Sequence, residues 1–211
     1  YGSLPGKAPA APRTAAMAAF ARQSPAQQRK TLKHNLLGFG YVEGGEVRTR
    51  GEILVATRYS RQLQAAIQQG ARALLIADEE FAFSFENLRL PAGVIVARDN
   101  TQWEGDWATS FSWLRKQGPF AALPGGPLLE MEYADLMPDA VHAGLPAWAA
   151  RTHSWAGLAL GWIHKPVSLL TVLPYGGGKL AVTTFKLDAK RLEENAVAQT
   201  LMGGILRVLA E

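Results

Sequence analysis

Two short apolar runs separated by a helical pattern set the fold class of this chain. Glu52–Thr57, EILVAT, is almost continuously apolar, as expected of a strand covered on both faces. Ala73–Ala77, ALLIA, repeats the pattern. Between them Leu63 and Ile67 stand four residues apart, behind Ser60 as an N-cap and ahead of Gly70 as a stop, which predicts a helix over Arg61–Gln69. A strand–helix–strand unit of this kind predicts a parallel pair with a right-handed crossover, and so an open α/β sheet, mostly parallel, with helices on both faces. Val94–Ala97, VIVA, is a further strand, and Phe81–Leu90 reads as loop or short helix.

The last third changes period. Gly157–His164, Ser168–Pro174 and Leu180–Lys186 read as three strands, with Pro166 and Gly176–Gly178 at the turns, so a meander is expected at one side of the sheet. Leu192–Leu209 reads as one long closing helix, because Val197, Leu201, Ile205 and Leu209 recur every fourth residue. Pro127–Met137 is irregular, with a helical turn near Tyr133. At the start, Pro5, Pro9 and Pro12 mark a linker, Thr14–Gln23 a short helix and Ser24-Pro25 the cap of a basic helix over Ala26–Leu37. Phe39–Val47 reads as a weak strand and turn. The expected organisation is a tail over 1–24 and a single α/β domain over 25–211.

Composition narrows the function classes. The chain has 211 residues, 48% apolar and 19% charged, a globular profile. The net charge of +4 comes from dispersed basic residues with no basic run, which argues against a nucleic-acid surface. No cysteine is present, which excludes disulfides, cysteine zinc ligands and a cysteine nucleophile, and leaves the compartment open. No apolar run is long enough to span a bilayer. Tyr1–Ala10 lacks an initiator Met and a signal-peptide pattern, and reads as the interior of a longer protein.

The candidate chemistry concentrates between Trp103 and Pro127, a stretch holding three of the six tryptophans and ending in a Pro-Gly-Gly-Pro corner. Trp103, Trp107, Phe111 and Trp113 offer aromatic faces of the kind that stack on sugars, but the four-residue spacing of Trp107 and Phe111 reads better as one packed face of a helix over Trp107–Arg115. Asp99, Glu104 and Asp106 offer paired carboxylates for glycoside chemistry, but Asp106 reads better as the cap of that helix. Histidines 34, 142, 153 and 164 form no metal-ligand pair, and no metal or cofactor is expected. His164 lies at a strand end, where open α/β sheets bind ligands. Gly176–Gly178 lacks the Lys-Ser/Thr ending of a phosphate loop and reads as a hairpin turn, and no Gly-x-Ser-x-Gly elbow occurs.

The stretch Gly105–Val141, with DWATSFSWL and LPGGPL, resembles the C-terminal region of bacterial family-2 glycoside hydrolases of the β-galactosidase and β-glucuronidase type. So do Gly157–Leu187, with GWIHKP and TTFKL, the closing helix and the EILVAT…GARALLIAD unit. The resemblance runs from about Glu52 to the end. It implies a flavodoxin-like accessory domain similar to class I glutamine amidotransferases, outside the barrel that carries the catalytic glutamates. The absence of cysteine excludes amidotransferase activity. The expected role is non-catalytic: to support the barrel, to build an oligomer contact or to lend a loop to the substrate cleft, with Trp103, Glu104, Asp106, Trp107, Trp113 and His164 as contact residues. The expected partners are the other domains of the parent glycosidase, a second copy, or carbohydrate. Two alternatives stand beside it: a carbohydrate-binding module using Trp103–Trp113, and a self-contained hydrolase using Asp99, Glu104 or Asp106.

Overall fold

The structure, a computed structural model, describes residues 35–36, 39–40, 53–84, 87–97, 110–160 and 166–211. The first strand, β1 (Ile53–Ala56), and the second, β2 (Arg72–Ile76), lie parallel, with Ile53 opposite Arg72 and Ala56 opposite Leu75. Helix α1 (Arg61–Gln68) joins them; the Ser60 hydroxyl caps it by accepting from the Leu63 amide, and Leu63 and Ile67 are buried. The expected strand–helix–strand unit is therefore present, with the cap and the buried face where the pattern put them.

Beyond this unit the sheet departs from expectation. Strands β3 (Val94–Ala97), β4 (Ser110–Leu114), β5 (Ala140–Ala143), β6 (Ser154–Leu160), β7 (Pro166–Tyr175) and β8 (Gly178–Thr183) complete eight strands in one open sheet. The main path runs β1-β2-β8-β7-β5-β3, with β6 paired to β7 and β4 paired to β6. Only β1-β2 and β2-β8 are parallel; every other pairing is antiparallel. The mostly parallel sheet is corrected to a mostly antiparallel one. The physical reason is the meander of β6, β7 and β8. It sits in the middle of the sheet rather than at one side, and its consecutive strands pair antiparallel.

Strand β7 is the hub, since it pairs with β8, β5 and β6. The β7–β8 hairpin turns through Gly176 and Gly177, and Gly176 takes φ 58°. A side chain at Gly176 would also stand 2.7 Å from the Gln68 Cα, so glycine lets this turn close against the end of α1. The glycine triplet is a hairpin turn, as expected, and not a phosphate loop.

The parallel part is buried on both faces. Alternate residues Leu54, Leu75, Leu180 and Val182 pack with Leu63 and Ile67 of α1. Their neighbours Ile53, Val55, Leu74 and Ala181 pack with the C-terminal helix on the other side. The closing helix is two helices, not one. Helix α4 (Ala189–Glu194) ends at Asn195, whose side chain accepts from the Val197 and Ala198 amides and starts α5 (Ala196–Ala210). Leu201, Ile205 and Leu209 are buried as the four-residue spacing predicts.

Two short helices fill the remaining connections. Helix α2 (Glu79–Phe83) is capped by Asp78, and α3 (Ala147–Thr152) lies between β5 and β6. Residues Met131–Leu136 form a 3-10 turn. In the N-terminal region Asn35–Leu36 pairs antiparallel with Phe39–Gly40, so the basic helix expected to reach Leu37 does not include these positions. The tail and the helices expected before Asn35 lie outside the described residues.

Candidate functional site

Of the expected contact residues, Trp103, Glu104, Asp106, Trp107 and His164 lie outside the described residues, as does Asp99. Trp113 is described, and it sits on a strand. Residues 110–114, expected to be helical, form β4 against β6, with Trp113 opposite Gly157. A strand sends alternate side chains to opposite faces, so Phe111 and Trp113 share one face while Ser112 and Leu114 are buried on the other. The packed helix face expected of Trp107 and Phe111 is thereby corrected: Phe111 is 59% exposed. No helix covers 110–114 for Asp106 to cap.

Leu128 extends this edge. It bridges Trp113 antiparallel, and the Leu114 amide donates to the Pro127 carbonyl while the Leu129 amide donates to the Ser112 carbonyl. Bridge partners project to the same side. Leu128, 45% exposed, therefore joins Phe111 and the half-buried Trp113 in an apolar face at the sheet margin. The Pro124–Pro127 corner is held in place from both sides. The Lys116 ammonium donates to the carbonyls of Leu123, Pro124 (3.1 Å) and Gly125 (2.7 Å), and the Tyr133 hydroxyl donates to Pro124 O at 2.9 Å. Burial, with Glu132 adjoining, pushes the Tyr133 phenol up to about 12, so it stays a donor at neutral pH.

A second feature lies at the carboxyl ends of the parallel strands. The chain leaves β2 toward the face covered by α1, where Phe81 packs, and leaves the neighbouring β8 toward the face covered by α5, a divergence between adjacent strand ends. A cleft of about 350 Å3 is found there, lined by Asp78, Glu79, Glu80, Asp139, Thr184, Lys186 and Arg191. Asp78 follows β2 and accepts from the Phe81 amide at 2.9 Å. Lys186 pairs with Asp139 at 2.5 Å, and Arg191 pairs with Asp188 and donates through Nε to Asp135 O at 2.6 Å. The Asp188 carboxyl is held below its ordinary range by the Arg191 and Lys190 contacts, against an opposing effect of burial that is the largest single influence. Sequence reasoning missed this cleft. The strand-end rule that singled out His164 applies equally to Asp78, the second residue after β2.

Of the four histidines, His142 and His153 are described. His142 on β5 is fully buried, and its Nε2 lies 2.7 Å from the Ala92 carbonyl. A carbonyl only accepts, so Nε2 carries the proton and Nδ1, which has no partner, is unprotonated. Burial pulls its pKa down to about 4, partly offset by the Ala92 contact. His153 meets Trp148 edge-on, with centroids 5.6 Å apart. Among the described residues no cluster of His, Asp or Glu could hold a metal ion, and no helix is long and apolar enough to cross a membrane.

No family model matches the chain, and no curated protein matches it. Among solved structures, a cytoplasmic protein from Salmonella typhimurium is similar over 74% of this chain and 71% of its own, at 9% identity and a TM-score of 0.43. A β-galactosidase from Bacillus circulans sp. alkalophilus is similar over 74% of this chain and 22% of its own, at 13% identity and a TM-score of 0.36. This chain thus spans about a fifth of that β-galactosidase. At scores this low, neither likeness assigns a fold family or an activity to the chain.

Proposed function

We propose that this chain is a non-catalytic accessory domain of a family-2-type glycoside hydrolase, and that the margin formed by β4 and Leu128 is its contact with the other domains of the parent enzyme. The observation that carries the contact is the shared face of Phe111, Trp113 and Leu128. Single exposed apolar residues are common on any protein, whereas three on one face at a sheet margin are the kind of surface a partner covers. The family reading rests on the ordered sequence phrases DWATSFSWL, LPGGPL, GWIHKP and TTFKL. The carboxylates that cleave the glycosidic bond belong, in this reading, to the parent's barrel.

The test is the parent protein itself. Its reading frame upstream of Tyr1 is expected to encode a β-sandwich and a barrel. In that longer protein the amides of Phe111–Leu114 and Leu129 are expected to exchange with deuterium more slowly than in this chain alone. Equal exchange in both would remove the contact, and an upstream frame without a barrel would remove the family assignment.

A further inference from the structure

We infer that the Lys116 ammonium is the latch of the Pro124–Pro127 corner. It draws three successive carbonyls to one point, selects one conformation of the Gly-Gly pair, and so keeps Leu128 on the face it shares with Trp113. Its use in a domain contact rests on the reading proposed above for the β4 margin; the latch itself is a property of this chain alone.

Little else holds the corner. Pro124 and Pro127 have no N–H to donate. Among the described residues, no backbone–backbone hydrogen bond involves Pro124, Gly125 or Gly126. A Cβ at Gly126 would meet nothing within 4 Å, and one at Gly125 nothing closer than 3.8 Å, so packing does not confine the pair. Two glycines without such restraints have many backbone conformations open to them. The next restraint along the chain is the single bridge of Leu128 to Trp113, with one backbone hydrogen bond on either side of it.

Lys116 supplies what the backbone lacks. Gly125 takes φ 72°, and the carbonyls of Leu123, Pro124 and Gly125 all reach the Lys116 Nζ. An ammonium has three N–H donors, and here they meet three acceptors. Carbonyl oxygens that converge bring the negative ends of their dipoles together. A cation between them makes this arrangement favourable, and its removal makes it repulsive. The Tyr133 hydroxyl reaches only the Pro124 carbonyl, and it is neutral. A charge-assisted hydrogen bond is roughly twice as strong as a neutral one, so Lys116 outweighs Tyr133 in both number and strength. Lys116 also stands two residues beyond the end of β4. The strand that carries Phe111 and Trp113 thus ends in the side chain that holds the turn delivering Leu128.

Amide hydrogen exchange in this chain tests the latch. In Lys116→Met, which keeps most of the stem and loses the donors, the amides of Leu114 and Leu129 should exchange about 10-fold faster, with the amides of β2 and β8 unchanged. Tyr133→Phe removes one neutral bond and should accelerate them less, about 3-fold. Lys116→Ala should match Lys116→Met. Propylammonium, which replaces the lost carbons and nitrogen, should restore protection to Lys116→Ala in a saturable way, and tetramethylammonium, which has no N–H, should not. Four results would each overturn the latch: unchanged exchange at Leu114 and Leu129 in Lys116→Met, a larger acceleration in Tyr133→Phe, acceleration spread equally over the whole sheet, or an equal response to the two ammonium ions, whether both restore protection or neither does. All of these rates are read in the chain alone, so a failure of the parent contact would leave them as predicted.

Discussion

The indole of Trp113 lies directly over Gly157. A Cβ at position 157 would stand 2.6 Å from Trp113 Cζ2 and 2.7 Å from the Val167 carbonyl oxygen. The two residues face each other across the β4–β6 ladder, so the missing side chain of one makes room for the ring of the other. This pairing fixes where the aromatic face at the sheet margin stands. Gly157→Ala is expected to destabilise the domain by about 1–3 kcal/mol, the usual cost of forcing atoms into a filled site. The change should also shift the emission of Trp113, since the ring must move. Urea unfolding and tryptophan emission measure the two effects, and an unchanged midpoint would mean that the ring does not rest on Gly157.

His142 makes stability depend on pH. Its folded pKa, about 4, lies below the ordinary 6.5, so the unfolded chain takes up a proton first as pH falls. The contribution is fully present above pH 6.5. It is lost progressively between 6.5 and 4, amounting to ~3 kcal/mol by the lower limit. In His142→Gln the amide can donate to Ala92 O without titrating, so the difference in pH dependence between the two proteins isolates this group. Parallel unfolding curves from pH 7 to 4 would contradict the assignment.

Adjacent glycines in α5 are expected to respond with opposite sign. A Cβ at Gly204 would meet Phe120 Cε1 at 2.5 Å, whereas one at Gly203 meets nothing within 4 Å. Gly203→Ala should stabilise by about 0.5–1 kcal/mol through backbone entropy alone. Gly204→Ala should lose more than it gains, because α5 rests on the Gly118–Phe120 turn through that bare position. Thermal unfolding of the two single variants decides the matter, and two changes of the same sign would show that the helix stands off from Phe120.

The break at Asn195 is held by its side chain. Oδ1 accepts from the Val197 amide at 2.8 Å and the Ala198 amide at 3.1 Å. Asn195→Ala should cost about 1 kcal/mol and Asn195→Asp close to nothing, read as Tm. Equal losses in the two variants would place the cost elsewhere.

What the chain declares locally is most of the elements; what it conceals is their arrangement. Ser60, Leu63 and Ile67 announce α1 because cap and buried face follow the backbone's own period. Strand β4 was concealed by a coincidence of spacing. Phe111 stands four residues after Trp107, which suggests a helix, while the competing alternation of Phe111 and Trp113 is masked by Ser112 on the buried face. In β5 the polar His142 interrupts a short apolar run, and its burial depends on Ala92, fifty positions away. Asn195 stands just ahead of the four-residue repeat that begins at Val197, and reading the helix back to Leu192 runs through this cap. Sheet direction is set by which strands meet, and nothing in AVTT or SLLT says that one runs parallel to ALLI and the other does not. The cleft joins Asp78 to Thr184 only because β8 inserts beside β2. Of the expected contact residues, Trp113 alone lies among the described residues.

The most direct measurement of the central claim is binding between this chain and the separately produced upstream part of its parent, by calorimetry. Phe111→Ser combined with Leu128→Ser is expected to weaken that binding at least ~10-fold while leaving Tm unchanged, because both side chains are exposed in the isolated domain. Undiminished binding by the double variant would contradict the account.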